Sequence, residues 1–328
     1  MSEFRRDPVI GRWVIIDPTR TFEKLTTVSS YPKDISNCPF CPGNERLTRP
    51  AILTYYGSGA KAKEWILRVI PNNKPVLEIE GSLKRRADGM YDKMEGVGAH
   101  EIIVETSEHN TKPHSLTPQC HERILNAASD RIKDLRNDLR FEYILSFKNY
   151  GTAANAAFEH PYSQLIAMPI VPKRVKEEID GGKKYFDYKE RCVYCDMVEN
   201  EIACGQRLVF ENDLFVAFCP YASRYPFEVC IVPKKHSSDF DYSSSADITA
   251  YSQVLSSVYK KLNKVLEDSA FSALLHTGPL KEKNLPYYHW HTEIMPKLTK
   301  ASGFEWGTGL YANHVSPEEA AKYLRECQ

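Results

Sequence analysis

The sequence lacks a net charge, a long apolar run and any low-complexity segment. Its 328 residues include 43 Lys and Arg against 43 Asp and Glu, so we expect no broad nucleic-acid or membrane-surface footprint. No apolar run approaches the roughly 20 residues of a membrane helix, and residues 1–11 show no apolar core of a signal peptide. Apolar residues make up 42%, enough for a sizeable core. These features predict a folded cytoplasmic protein that binds neither nucleic acid nor a membrane.

Nine cysteines are present, and four of them form two C-x-x-C pairs. A disulfide framework suits a short secreted chain and is not expected here. In a reducing compartment, thiols two residues apart more often hold a metal or do redox chemistry. Pro39 and Pro42 bracket the first pair, which favours a metal-binding knuckle over a redox motif at the start of a helix.

The two pairs begin an internal repeat. Each pair is followed by two histidines, and these lie 51 residues apart in the first half (109 to 160) and 53 in the second (236 to 289). Two thiolates and two imidazoles suit tetrahedral zinc with no open position, which is usually a structural site. The sequence therefore predicts two structural zinc sites, with the ligands Cys38, Cys41, His109 and His160 in one and Cys192, Cys195, His236 and His289 in the other. The histidines outside this pattern are expected to be ordinary surface or core residues: His100, His114, His121, His276 and His314.

Successive strands followed by a helix, found twice, predict an α+β fold of two halves, each a largely antiparallel sheet with flanking helices. Apolar spacing predicts helices over 118–139, after a Thr117 start signal, and over 248–266, and Ser316 begins a last helix. Strands are predicted at 11–16, 65–70, 143–148 and 164–170. A polar stretch at 173–191 separates the halves, giving an N-terminal domain of residues 1–180 and a C-terminal domain of residues 181–328.

The histidine segments lie in apparent strands, where alternate residues face the same side. Tyr162 is therefore presented beside His160, and His291 beside His289. Asn149 and Gln164 flank the first segment, and both can donate hydrogen bonds to phosphate oxygens. Alternatively, both are buried polar groups satisfied by the backbone. His291 is either a base or nucleophile or, as we favour, a packed strand histidine.

Several longer motifs carry a resemblance that covers almost the whole chain. They are RDP at 6–8, GRWVI at 11–15, CPFC at 38–41, RVIPN at 68–72, GAHE at 98–101, FKNYG at 147–151, YPFE at 225–228, GFEWGTG at 303–309 and PEE at 317–319. In these the chain resembles the galactose-1-phosphate uridylyltransferase family of the histidine-triad superfamily, including its ADP-glucose phosphorylase relatives. The resemblance implies two histidine-triad-like halves, the same eight zinc ligands, a role in galactose or nucleotide-sugar metabolism, and a possible homodimer.

The resemblance also implies a two-step transfer. A histidine takes a nucleoside monophosphate from a nucleotide sugar, and a sugar phosphate or phosphate then removes it. Gln164 corresponds to the glutamine that steadies the phosphoryl oxygens, and the 303–309 segment lies near the sugar phosphate. The implied catalytic residues are Tyr162 and Gln164, and the implied substrate contacts are Asn149, Asn155, Ser163, Glu305 and Gly307.

The chain departs from the family at the position of the nucleophile, where Tyr162 replaces the second histidine of the His-Pro-His-Ser-Gln pattern. Asn155 and Ala157 replace the usual glycine and serine of the phosphate cradle. A phenol titrates near 10 and histidine near 6.5, so Tyr162 needs a nearby cation to act as a nucleophile. Three interpretations stay open: a nucleotidyltransferase or phosphorylase, a lyase or isomerase acting on a nucleotide-linked substrate, and a catalytically silent nucleotide-sugar binder.

Overall fold

The computed structural model describes residues 2–19 and 35–327. In these ranges the strands are β1 (Glu3–Arg6), β2 (Trp13–Ile16), β3 (Leu53–Tyr56), β4 (Trp65–Pro71), β5 (Arg86–Asp88), β6 (Tyr91–Lys93), β7 (Ala99–Val104), β8 (Tyr143–Tyr150), β9 (Tyr162–Met168), β10 (Leu208–Glu211), β11 (Phe215–Phe218), β12 (Val229–Pro233), β13 (Phe271–His276), β14 (His291–Pro296) and β15 (Tyr311–Asn313). The α-helices are α1 (Pro118–Leu135), α2 (Lys173–Lys189), α3 (Val193–Cys204), α4 (Ser245–Leu266), α5 (Gly303–Thr308) and α6 (Pro317–Glu326).

Ten strands form one antiparallel sheet, which confirms the predicted α+β class. Their order is β10-β11-β12-β14-β13-β8-β9-β7-β4-β3. The halves meet where β13 pairs with β8, with Leu274 opposite Phe147. The repeat therefore joins two sheets edge to edge into one.

The main core lies between this sheet and the helices α1 and α4. Thr117 caps α1 by accepting a hydrogen bond from the Cys120 amide, and Ser244 forms a capping box with Asp247 at the start of α4. Both helices bury an apolar stripe against the sheet and each other. The opposite face of the sheet carries the two Cys/His groups together with smaller apolar clusters.

A small three-stranded sheet, β1-β2-β15, joins the N-terminal strands to a C-terminal one. It is fastened to the second half. The Arg5 guanidinium pairs with Glu318 at 2.8 Å, and the Asn313 side-chain amide donates to the Ser223 carbonyl at 3.1 Å.

The polar stretch predicted to separate the halves and the glycine-rich segment at 303–309 are both helical. The polar stretch forms α2. Within this helix Gly181 and Gly182 lie so close to the Val9 and Tyr287 carbonyls that a Cβ on either would collide. The boundary predicted after residue 180 lies inside this helix. The division into two domains at this residue therefore stays a prediction. The glycine-rich segment forms α5, because Ser302 and Glu305 build a capping box. Among the described helices, none is both long and apolar enough to cross a membrane.

Candidate functional site

The first Cys/His group gathers residues from three separate parts of the chain. Cys38 and Cys41 lie in a turn, His109 follows β7, and His160 precedes β9. Their ligand atoms all lie within 4.8 Å of one another. The sulfur–Nδ1 distances are 3.2 Å from Cys41 to His109 and 3.8 and 3.6 Å from Cys38 and Cys41 to His160. A tetrahedral zinc with ordinary bond lengths sets this edge at about 3.6 Å, so the four residues fit such an ion.

The second group repeats this arrangement. Cys192 and Cys195 lie at the start of α3, and the Cys195 sulfur is 3.5 Å from Nδ1 of His236 and 3.7 Å from Nδ1 of His289. These ligand atoms also lie within 4.8 Å of one another. The structure thus brings together all eight residues that the repeat predicted to be metal ligands.

The histidine tautomers in both groups suit metal binding. The His160 Nε2 lies 2.8 Å from the Thr106 carbonyl, and the His236 Nε2 lies 3.0 Å from the Leu285 carbonyl. A carbonyl only accepts, so each ring carries its proton on Nε2 and presents an unprotonated Nδ1. Burial and the adjacent Cys38 thiol raise the pKa of Cys41 to about 11. Two thiolates side by side repel each other, and a divalent cation removes that repulsion.

Tyr162 begins β9 on the same face of the sheet as the first group. Its backbone lies opposite Val104, which in turn lies opposite Arg68. Its side chain is buried, and its ring centroid lies 5.6 Å from that of Phe40 and 6.0 Å from that of Phe158. The hydroxyl oxygen accepts a hydrogen bond of 3.0 Å from the Ala157 amide. Burial raises the pKa of this phenol.

Gln164 lies on the same face and is oriented by His100. The sequence indicated only an ordinary surface or core histidine at this position. The Val76 amide donates to His100 Nδ1 at 3.2 Å, so the ring proton is on Nε2. That nitrogen donates to the Gln164 Oε1 at 2.9 Å. The amide NH₂ of Gln164 is therefore the end left for a ligand. The Asn72 Nδ2 lies 3.0 Å from the same His100 Nε2.

The predicted substrate contacts of the first half divide between the two faces of the sheet. Asn149 alternates with Phe147, the partner of Gln164, and so faces the same side as Tyr162. Asn155 ends the 152–154 turn with a φ of 61°, a left-handed conformation that asparagine tolerates. The Ser163 hydroxyl donates to Glu105 on the helical face, so only its backbone can make the predicted contact.

Glu305 and Gly307 lie on a different part of the molecule. They belong to α5, which packs against β15 of the small sheet, and the Glu305 carboxylate caps that helix by accepting from Ser302. Within the described chain, the structure does not bring them to the face of Tyr162, since the small sheet is fastened to the second half.

His291, the counterpart of Tyr162, lies in a buried charged network. Its Nδ1 lies 3.0 Å from the His289 carbonyl, and its ring stacks on His276 with centroids 4.9 Å apart. His276 in turn lies 3.4 Å from a Glu178 oxygen and 3.6 Å from a Glu293 oxygen. Burial opposes its charge, yet these two glutamates raise the pKa of His276 to about 9. The sequence indicated an ordinary histidine because the partners of His276 lie on two other elements, α2 and β14, and show no shared spacing.

An antiparallel α+β scaffold with paired Cys/His groups and a polar strand beside one of them matches known proteins. A family model described as galactose-1-phosphate uridyl transferase, N-terminal domain, matches residues 1–172. A second, described as a domain of unknown function (DUF4921), matches residues 95–326. The chain is 35% identical to an ADP-glucose phosphorylase of Arabidopsis thaliana, over 99% of this chain and 92% of that one. It is 29% identical to a galactose-1-phosphate uridylyltransferase of Thermotoga maritima, over 100% and 99%.

Solved structures agree with these sequence matches. An ADP-glucose phosphorylase from Arabidopsis thaliana with bound ADP-glucose superposes with a TM-score of 0.85, at 34% identity and over all of both chains. A uridylyltransferase superposes with a TM-score of 0.79, at 26% identity, over 100% of this chain and 98% of that one. The fold and its relatives thus define a class of nucleotidyl and phosphate transferases. The chain belongs to the galactose-1-phosphate uridylyltransferase family.

Proposed function

We propose that this protein transfers a nucleoside monophosphate between a nucleotide sugar and a phosphate or sugar phosphate. The observation that carries the proposal is the Gln164 amide. It is oriented by His100, it keeps partial exposure, and it lies on the same face as a Cys/His group that can hold a metal. A directed amide donor beside an asparagine suits the oxygens of a phosphoryl group. Similarity to an ADP-glucose phosphorylase favours ADP-glucose as the donor and phosphate as the acceptor.

Both Cys/His groups are proposed to hold zinc as structural ions. Two sulfur and two nitrogen ligands complete a tetrahedron, so such an ion fastens loops to the sheet and has no position left for substrate. In the first group the ion ties His160, two residues before Tyr162, to the turn that carries Cys38 and Cys41.

A catalytically silent nucleotide-sugar binder is the second candidate. The observation that favours it is the Tyr162 hydroxyl, which accepts the hydrogen bond of the Ala157 amide in the predicted phosphate cradle. Such a binder would hold nucleotide sugars and release them unchanged.

The cytoplasm as location and a homodimer as the assembly complete the proposal. A homodimer predicts a particle of about twice the 37.6 kDa chain in light scattering.

Turnover of nucleotide sugars tests the proposal. ADP-glucose and UDP-glucose labelled at the α-phosphorus are incubated with the protein, each with inorganic phosphate or with galactose 1-phosphate. Transfer moves the label to a nucleoside diphosphate or to a new nucleotide sugar. A protein that binds either donor without forming product is the silent binder, and one that binds neither contradicts both candidates.

A further inference from the structure

We propose that this site transfers the nucleotidyl group in one direct displacement, while the Tyr162 hydroxyl occupies the cradle and makes no bond to phosphorus. The inference rests on the proposed function and names how that same site works. It follows from what surrounds Tyr162, from the chemistry of the acceptor, and from the groups left free to bind phosphate.

A covalent route needs a nucleophile whose lone pair faces the α-phosphorus. The Tyr162 side chain is only 5% exposed, and its ring is packed between Phe40 and Phe158. Its hydroxyl oxygen already accepts from the Ala157 amide. The phenol thus uses the Ala157 amide, a donor that could otherwise bind a phosphoryl oxygen.

Among the described residues, the Tyr162 hydroxyl makes no hydrogen bond to a Lys or Arg side chain, and its partner is the Ala157 amide. Lys148 donates to Glu105 at 2.7 Å and to the Tyr162 backbone carbonyl at 3.3 Å, so its charge lies on the helical side of the sheet. Arg68 shares the face of Tyr162, but its guanidinium lies over the Trp65 ring, 4.7 Å from the ring centroid.

The acceptor needs no activation. A phosphate or sugar phosphate enters as a dianion, and one of its oxygens forms a bond to the α-phosphorus opposite the bridging oxygen. The bond from the α-phosphorus to that bridging oxygen breaks, and the electron pair leaves with the sugar 1-phosphate. No proton moves, so positioning and charge stabilisation are sufficient.

The groups that would position the phosphorus are those left free on this face. His100 directs the NH₂ of Gln164 away from itself, and Asn149 faces the same side at the end of β8. Gln164 and Asn149 keep partial exposure, in contrast to Tyr162.

Stereochemistry at phosphorus separates the two routes. ADP-glucose and UDP-glucose with a single-configuration α-phosphorothioate are turned over with inorganic phosphate, and the configuration of the nucleoside diphosphate product is read by phosphorus NMR. One displacement inverts the configuration, and we expect complete inversion. Retention means two displacements and overturns the inference while leaving the proposed function intact. Absence of product from every donor and acceptor pair overturns the proposed function, and the inference with it.

The Tyr162→Phe variant gives an independent measurement, since it keeps the ring and removes the hydroxyl. Direct displacement predicts that this variant still forms product of inverted configuration and that initial rates for parent and variant give intersecting lines. A variant that unfolds at the parent's temperature but loses more than about 1,000-fold in turnover, the scale on which a lost covalent nucleophile acts, overturns the inference. So does α-phosphorus label bound to Tyr162 of the parent protein.

Discussion

The two halves of the molecule carry the same Cys/His group at the same place on the sheet, yet the side chains beside each group differ in their exposure. In the first half Tyr162 lies beside partly exposed Gln164 and Asn149. In the second, His291 is covered by Tyr194 of α3, whose ring stacks on it at 5.1 Å, and by Glu178 of α2. The repeat therefore conserves the Cys/His group, while the elements packed on the sheet beside it differ between the halves.

The two residues at the shared position also differ in their surroundings. In the second half an imidazole is held by the His289 carbonyl and placed among Glu178, Glu293 and His276. In the first half the phenol lies among aromatic rings, with its hydroxyl on a backbone amide. An imidazole thus occupies the closed half and a phenol the open one.

Substitution of one cysteine in each Cys/His group should give the largest difference between the two halves. Cys38→Ser and Cys192→Ser should each remove one bound metal and lower the free energy of unfolding by several kcal/mol, since metal binding is coupled to folding. Only Cys38→Ser should also abolish transfer, because His160 sets the position of Tyr162. Zinc content, thermal unfolding and turnover are measured on both proteins. Equal loss of turnover in both variants, with Cys192→Ser still folded, contradicts a division of roles between the halves.

Gln164→Ala should lower turnover by about 100- to 1,000-fold, because one directed donor to a phosphoryl oxygen is removed. The side chain is at the edge of the core, so the temperature of unfolding should change little. The matched control in the second half is Glu293→Gln, at the counterpart position two residues after His291 on β14, which should leave turnover within about threefold of the parent. A Gln164→Ala protein of normal turnover would remove this residue from the site.

His100→Ala should lower turnover by about tenfold, because the Gln164 amide is then free to rotate. His100→Asn should recover part of that loss, since its side-chain amide can donate to the Gln164 oxygen. A purely structural role predicts that both variants lose stability and turnover together. The measurement is therefore kcat together with the temperature of unfolding for each variant.

The charged network of the second half should give a smaller effect, on stability alone. Despite burial, Glu178 and Glu293 raise the pKa of His276 in the folded protein to about 9, above its ordinary value near 6.5. The stabilisation is then complete below about pH 6.5 and is lost as the pH rises through 9. The difference in unfolding free energy between the parent and His276→Gln should shrink by about 3 kcal/mol from pH 6 to pH 9.5. A constant difference would show that folding does not change the pKa of His276.

Local signals made much of the fold predictable from the sequence. Thr117 and Ser316 cap the helices they were expected to begin, and strand patterns placed β4 and β8 within two residues. The spacing of cysteines and histidines correctly grouped all eight candidate ligands. Helix α2 was missed because two glycines in a polar stretch indicate a linker, whereas here they permit close packing against two carbonyls.

The role of His100 could not be derived from the sequence. It depends on the register between β7 and β9, which places Ile102 opposite Gln164, and on the Val76 amide of a distant loop. Such non-local pairing leaves no periodic signal. The direction of Ser163, by contrast, follows from strand alternation once Tyr162 is placed.

The position of a bound nucleotide tests the central claim most directly. A crystal structure of the protein with ADP-glucose should place the α-phosphate within hydrogen-bond distance of the Gln164 amide, on the face shared by Tyr162 and the first Cys/His group. A nucleotide bound in the second half, or on the small sheet beside α5, would contradict the account.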